Sequence, residues 1–124
     1  MRCLIVDDSA DFRDAASAML ERGGISVVGT ASSGAEALEC YEMLDPDVAL
    51  VDVELGEDNG FEVAERLHEA SSPKSLAVII VSSYDEVDVA DMMASSPAVG
   101  FVPKLELSPD VIRDLLKVTG PRGR

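Results

Sequence analysis

Tryptophan is absent from this chain of 124 residues, and histidine occurs once, as His68. A Ser-His-Asp arrangement would need that single imidazole. His68 falls mid-helix among polar neighbours and reads as a solvated side chain. Cysteine occurs twice, as Cys3 and Cys40, with no C-x-x-C and no Cys/His spacing that would hold zinc. Cys3 lies in a buried-strand pattern and Cys40 in a helical one, so both read as reduced core thiols and imply a cytoplasmic location. Bases are few, 10 against 24 acids, for a net charge of −14. Such a surface repels nucleic acid, so no direct nucleic-acid binding by this chain is expected. No apolar run approaches the roughly 20 residues of a membrane span. The start, MRCLIVDDSA, reads as no signal peptide, so no membrane partner is expected either. Glycine-rich phosphate loops are missing too: there is no G-x-G-x-x-G and no G-x-x-x-x-G-K-[ST].

What is present is a chain that is 47% hydrophobic, long enough for one domain with a real core. Strand and helix patterns alternate five times. Residues 2–7, 25–31, 48–53, 76–82 and 99–102 read as strands. Residues 9–22, 33–44, 60–70 and 85–95 read as helices, and a further helix starts at Ser108-Pro109-Asp110 and runs to about Val118. The segment 85–95 has the thinnest apolar stripe. The acidic stretch Glu54–Asn59 reads as an irregular loop. Regular βα alternation implies right-handed crossovers and an α/β fold, a parallel sheet with helices on both faces. Residues 119–124 read as a frayed tail or the start of a linker.

Four of the five strands stop at a group able to handle phosphate or a hard cation: Asp7-Asp8, Asp52, Ser82 and Lys104. The C-terminal ends of parallel strands share one edge, and ligands bind there. Each residue alone has a plainer reading: Asp7 or Asp8 as a helix cap, Asp52 as a loop cap, Ser82 as a strand end, Lys104 as a solvated lysine. Four strand ends carrying suitable groups together form a specific signal. Asp52 would be a nucleophile that accepts a phosphoryl group as an acyl phosphate. Crowded carboxylates need a cation between them, and Mg²⁺ (or Mn²⁺) suits this donor set. Asp8 and Asp52 are expected as direct ligands, with Asp7 acting through water and the backbone carbonyl of Glu54 completing the set. Ser82 would offer its hydroxyl to a phosphoryl oxygen, and Lys104 a point charge opposite the metal.

The motifs IVDDS (5–9), VDVELGEDNG (51–60), IIVSS (79–83) and GFVPK (100–104) make the chain resemble the receiver domain of bacterial two-component response regulators. The resemblance covers residues 2–118. It implies a flavodoxin-like (βα)5 fold with strand order 2-1-3-4-5. It implies that Asp52 is phosphorylated by a sensor histidine kinase or phosphotransfer protein, with Asp7 and Asp8 holding Mg²⁺. It further implies that Ser82 turns inward to the phosphoryl group and that Phe101, at the aromatic switch position, follows. The face made by the fourth helix, fifth strand and fifth helix would then change and control an output domain or protein target. A homodimer on phosphorylation is compatible with the acids (Asp88, Asp91) and bases (Arg113, Lys117) on that face. The domain would support its own phosphorylation without being a conventional enzyme. Glu54 and Tyr84 stand where the family tunes phosphoryl lifetime. Two departures are visible: Leu55-Gly56 where Met-Pro is common, and Pro103 before the lysine with Leu105 after it. The Lys-Leu continuation resembles receivers joined to LuxR-type output domains. The rival readings are a pseudo-receiver that is never phosphorylated and an aspartate-nucleophile phosphatase, which would place D-x-D after the first strand.

Overall fold

The structure, a computed structural model, describes residues 1–56, 58–71, 76–83 and 96–119, with side chains through Lys117. The expected helix at 85–95, Tyr84 and the tail from 120 lie outside the described residues.

Five strands form one parallel sheet: β1 (Arg2–Val6), β2 (Ser26–Ala31), β3 (Val48–Asp52), β6 (Ala77–Ser82) and β7 (Gly100–Pro103). Their order is β2-β1-β3-β6-β7, the arrangement expected for the five long strands. β1, β3 and β6 are central, which explains why they are almost entirely aliphatic. The stretch read as an irregular loop is instead a two-stranded antiparallel ribbon, β4 (Glu54–Leu55) and β5 (Asp58–Asn59). Its turn carries Gly56 at φ +62°, a conformation that glycine adopts without Cβ strain. The acids in this stretch hid the pairing, because charged residues are poor strand signals.

The described helices are α1 (Ala10–Arg22), α2 (Gly34–Leu44), α3 (Gly60–Ser71) and α4 (Pro109–Thr119). α4 is the helix expected after Ser108, whose hydroxyl accepts the Val111 amide at 3.2 Å. Ser9 caps α1 in the same way, accepting from Phe12 N at 3.2 Å, and Ser33 caps α2 by accepting from Glu36 N. α2 ends at Asp45, which sits in the left-handed region at φ 50°.

Side chains alternate across a strand, and the core divides accordingly. One face of the sheet carries Leu4, Val6, Ala49, Val51, Val78 and Ile80, covered by α2 and α3 through Ala37, Tyr41, Phe61 and Leu67. The other carries Cys3, Ile5, Val48, Leu50, Ile79 and Val81, covered by α1 and α4 through Ala16, Leu20 and Ile112. Burial pushes the Cys3 thiol up to about 12, so it stays protonated as a small core residue. Among the described residues, no helix is long and apolar enough to cross a membrane.

Candidate phosphoacceptor and metal site

The ends of β1, β3 and β7 bring Asp7, Asp52 and Lys104 together. By alternation all three follow the face covered by α1 and α4, as do Ile5, Leu50 and Val102 before them. Lys104 Nζ lies 2.8 Å from Asp7 Oδ2 and 3.4 Å from Asp52 Oδ2. Asp7 is fully buried and Asp52 nearly so, whereas Asp8 is exposed. Carboxylate oxygens of Asp7, Asp8 and Asp52 all lie within 4.8 Å of one another. Residues from the two ends of the chain therefore meet at one point.

The site is short of positive charge. Desolvation raises the Asp52 pKa to about 6, and Asp7 adds to the rise. Lys104 and the amide of Glu54 pull it back only in part. For Lys104, burial works against the ammonium. The Asp7 and Asp52 carboxylates outweigh that and leave its pKa above the usual lysine value. Asp7 Oδ1 accepts the Ser9 amide at 2.8 Å, while the buried Oδ2 faces the Lys104 ammonium at 2.8 Å. Three carboxylates crowded within 4.8 Å of one another and facing one ammonium fit a hard divalent cation such as Mg²⁺.

Ser82 closes β6 and is buried. It shares a face with Val78 and Ile80, so it stands on the α2/α3 side, opposite to Asp52. Phe101, on β7 beside Ile80, is half-buried against that same cluster. Glu54 has an exposed side chain and a backbone fixed by pairing with Asn59 in the ribbon. Leu105, in the 3₁₀ turn Lys104–Glu106, is fully exposed.

Three contributors escaped the sequence reading. Gly60 lets α3 begin against the end of β3: a Cβ there would lie 2.1 Å from the Asp52 carbonyl oxygen. β5 of the ribbon is anchored to both neighbouring helices, since Asp58 accepts the Gly34 amide at 2.9 Å and Asn59 the Phe61 amide at 2.8 Å. On α1, Phe12 lies under the Lys104 ammonium at 4.5 Å, and Arg13 donates to the Asp7 carbonyl at 2.7 Å. Only the glycine left a trace, at the junction of an acidic stretch and a helix.

With this geometry in place, the comparisons with known proteins agree. The family model for the response regulator receiver domain matches residues 3–117, and the chain belongs to that family. It is 37% identical over 123 residues to a protein-glutamate methylesterase/protein-glutamine glutaminase of Halalkalibacterium halodurans, covering 94% of this chain and 35% of that one. It superposes on the signal receiver domain of NarL from Mycobacterium tuberculosis with a TM-score of 0.81 at 30% identity, covering 98% and 97% of the two chains. The response regulator domain of Thermotoga maritima CheB gives 0.79 at 26% identity, covering 99% and 98%. The chain spans half or less of the length of the curated relatives it matches.

Proposed function

We propose that this chain is the phosphoacceptor of a two-component relay, with Asp52 receiving the phosphoryl group from a phosphohistidine donor. The observation that carries this reading is the convergence of Asp7, Asp8, Asp52 and Lys104 at one sheet edge. A carboxylate oxygen of Asp52 attacks phosphorus, an O–P bond forms, and the P–N bond to the donor imidazole breaks with its electron pair staying on nitrogen. Asp52 must be ionised to attack, and its pKa of about 6 leaves it so at neutral pH. Lys104 sets a positive charge where the transferred oxygens arrive. Asp8 and Asp52, Asp7 through water and the Glu54 carbonyl would hold Mg²⁺ or Mn²⁺. When bound, the ion neutralises phosphoryl oxygens and the crowded acids.

The switch in this reading belongs to the other face. Ser82 turns towards the phosphoryl oxygens, and half-buried Phe101 moves into the space it leaves. Electrostatics at one edge thereby biases packing beyond the sheet. Tyr84, with Glu54, would tune how long the acyl phosphate lasts. The donor would be a histidine kinase or phosphotransfer protein. The target would be an output domain joined through residues 119–124 or a separate protein, in the cytoplasm. The methylesterase relative supports the first form, because it is much longer than this chain. Transcriptional control through a LuxR-type output and dimerisation on phosphorylation belong to the same proposal.

Acetyl phosphate with Mg²⁺ should add one phosphoryl group by intact mass, and Asp52→Asn should abolish the gain. Retention of the gain by that variant would place the acceptor elsewhere. No gain in the parent would favour the pseudo-receiver reading.

A further inference from the structure

Lys104 has three partners in the described structure, and they are not equivalent. Asp7 and Asp52 are carboxylates at 2.8 and 3.4 Å, while the third is the ring of Phe12, its centroid 4.5 Å from Nζ. The two acids are also the groups that a divalent cation and an incoming phosphoryl group would engage. Once engaged, they attract the ammonium less strongly. The ring competes for neither, and its quadrupole attraction to a cation persists.

Local structure fixes the ring. Ser9 takes the Phe12 amide at 3.2 Å, which starts α1 directly after the acidic pair. Arg13, the next residue, donates to the Asp7 carbonyl at 2.7 Å and ties the first turn of α1 to the end of β1. Phe12 is half-buried against the α1/α4 core, so the ring rests on a packed surface. A lysine side chain is a flexible four-carbon stem that loses rotamer freedom when its ammonium is aimed, and a ring surface beneath it favours the aimed geometry.

We propose that Phe12 is a positioning residue that keeps the Lys104 ammonium aimed into the phosphoacceptor pocket after the carboxylates have been engaged. The inference rests on the phosphoacceptor reading of Asp52. It predicts that Phe12 sets affinity for the phosphoryl group more than for the metal.

The test combines NMR of the metal-free protein with Mg²⁺-dependent binding of beryllofluoride, a phosphoryl mimic. In the parent, the Lys104 ε-methylene protons should be shifted upfield by the ring, and Phe12→Leu should remove the shift. Phe12→Leu should weaken beryllofluoride binding about 3- to 10-fold, with Mg²⁺ affinity alone held within about twofold. Phe12→Tyr should restore binding. Phenylalanines carrying one, two and three fluorines at position 12, equal in shape but progressively poorer in π density, should weaken it stepwise. An unshifted ε-methylene in the parent would overturn the proposal, as would a flat fluorine series. A parent that binds beryllofluoride with a flat series removes only the role of Phe12. A parent that binds none removes the phosphoacceptor reading as well.

Discussion

The two faces of the sheet do different work at the same edge. The α1/α4 face ends in Asp7, Asp52 and Lys104, a compact set of charges with Phe12 against the ammonium. The α2/α3 face ends in Ser82, with Phe101 half-buried among apolar neighbours. One face holds charge and the other holds packing. The separation follows from the two-residue period of a strand: the charges occupy odd or even positions in phase, and the hydroxyl falls one position out of phase. In the proposed reading, a charge change on the first face reaches the second by moving Ser82 at the sheet edge.

The sharpest way to break this comparison is at the backbone contact both faces depend on. Gly60→Ala puts a Cβ 2.1 Å from a main-chain oxygen that cannot move without β3. It should cost more than about 3 kcal/mol in urea unfolding or prevent folding. A loss under about 1 kcal/mol would mean that the start of α3 is loosely set against the strand.

Packing itself should not distinguish the faces. Leu50→Ala, on the charged face, and Ile80→Ala, on the other, each remove a fully buried side chain and should each cost about 2–5 kcal/mol. A large difference between them would show that one layer is poorly closed.

Charge should distinguish them. Asp52 has a folded pKa of about 6 against an ordinary 3.8, so the folded state binds the extra proton between those values. Stability from this group is therefore greatest below about pH 3.8, falls as pH rises through that window, and carries its full penalty above about 6. Asn cannot ionise. In chelator, Asp52→Asn should be more stable than the parent by about 1–2 kcal/mol at pH 7, a figure discounted for the part of the carboxylate that water reaches. That gain should vanish near pH 4. An equal gain at both pH values would mean that ionisation is not the cause. The packing-face counterpart, Phe101→Leu, keeps Asp52 and should change metal-free stability by an amount almost independent of pH in the same window.

The smallest expected effect separates a soft clash from a hard one. A Cβ at Gly29 would come 2.6 Å from Cδ1 of Leu44, the far end of a flexible side chain. Gly29→Ala should cost under about 1 kcal/mol, in contrast to Gly60→Ala. A cost as large as that of Gly60→Ala would show that Leu44 has no room to rotate.

Much of this architecture was legible beforehand for particular reasons. The aliphatic runs ending at Asp7, Asp52, Ser82 and Lys104 announced parallel strands sharing an edge, because strands buried on both faces cannot alternate with polar residues. Asp8-Ser9, Ser33 and Ser108 marked helix starts, because a short polar side chain can take an orphan amide. The ribbon at Glu54–Asn59 was not legible, because its strands are two residues each and pairing that short leaves no period to read.

The sequence by itself determined the strand order's raw material, the phase of each strand and the identity of the groups at its end. These are local properties, set by side-chain chemistry and a fixed period. Tertiary structure alone decided that Lys104 would meet Phe12, that Arg13 would hold the Asp7 carbonyl, and that Gly60 must lack a side chain beneath Asp52. Those contacts join separate elements whose spacing is fixed only when the layers pack, and no pattern along the chain encodes a distance across it.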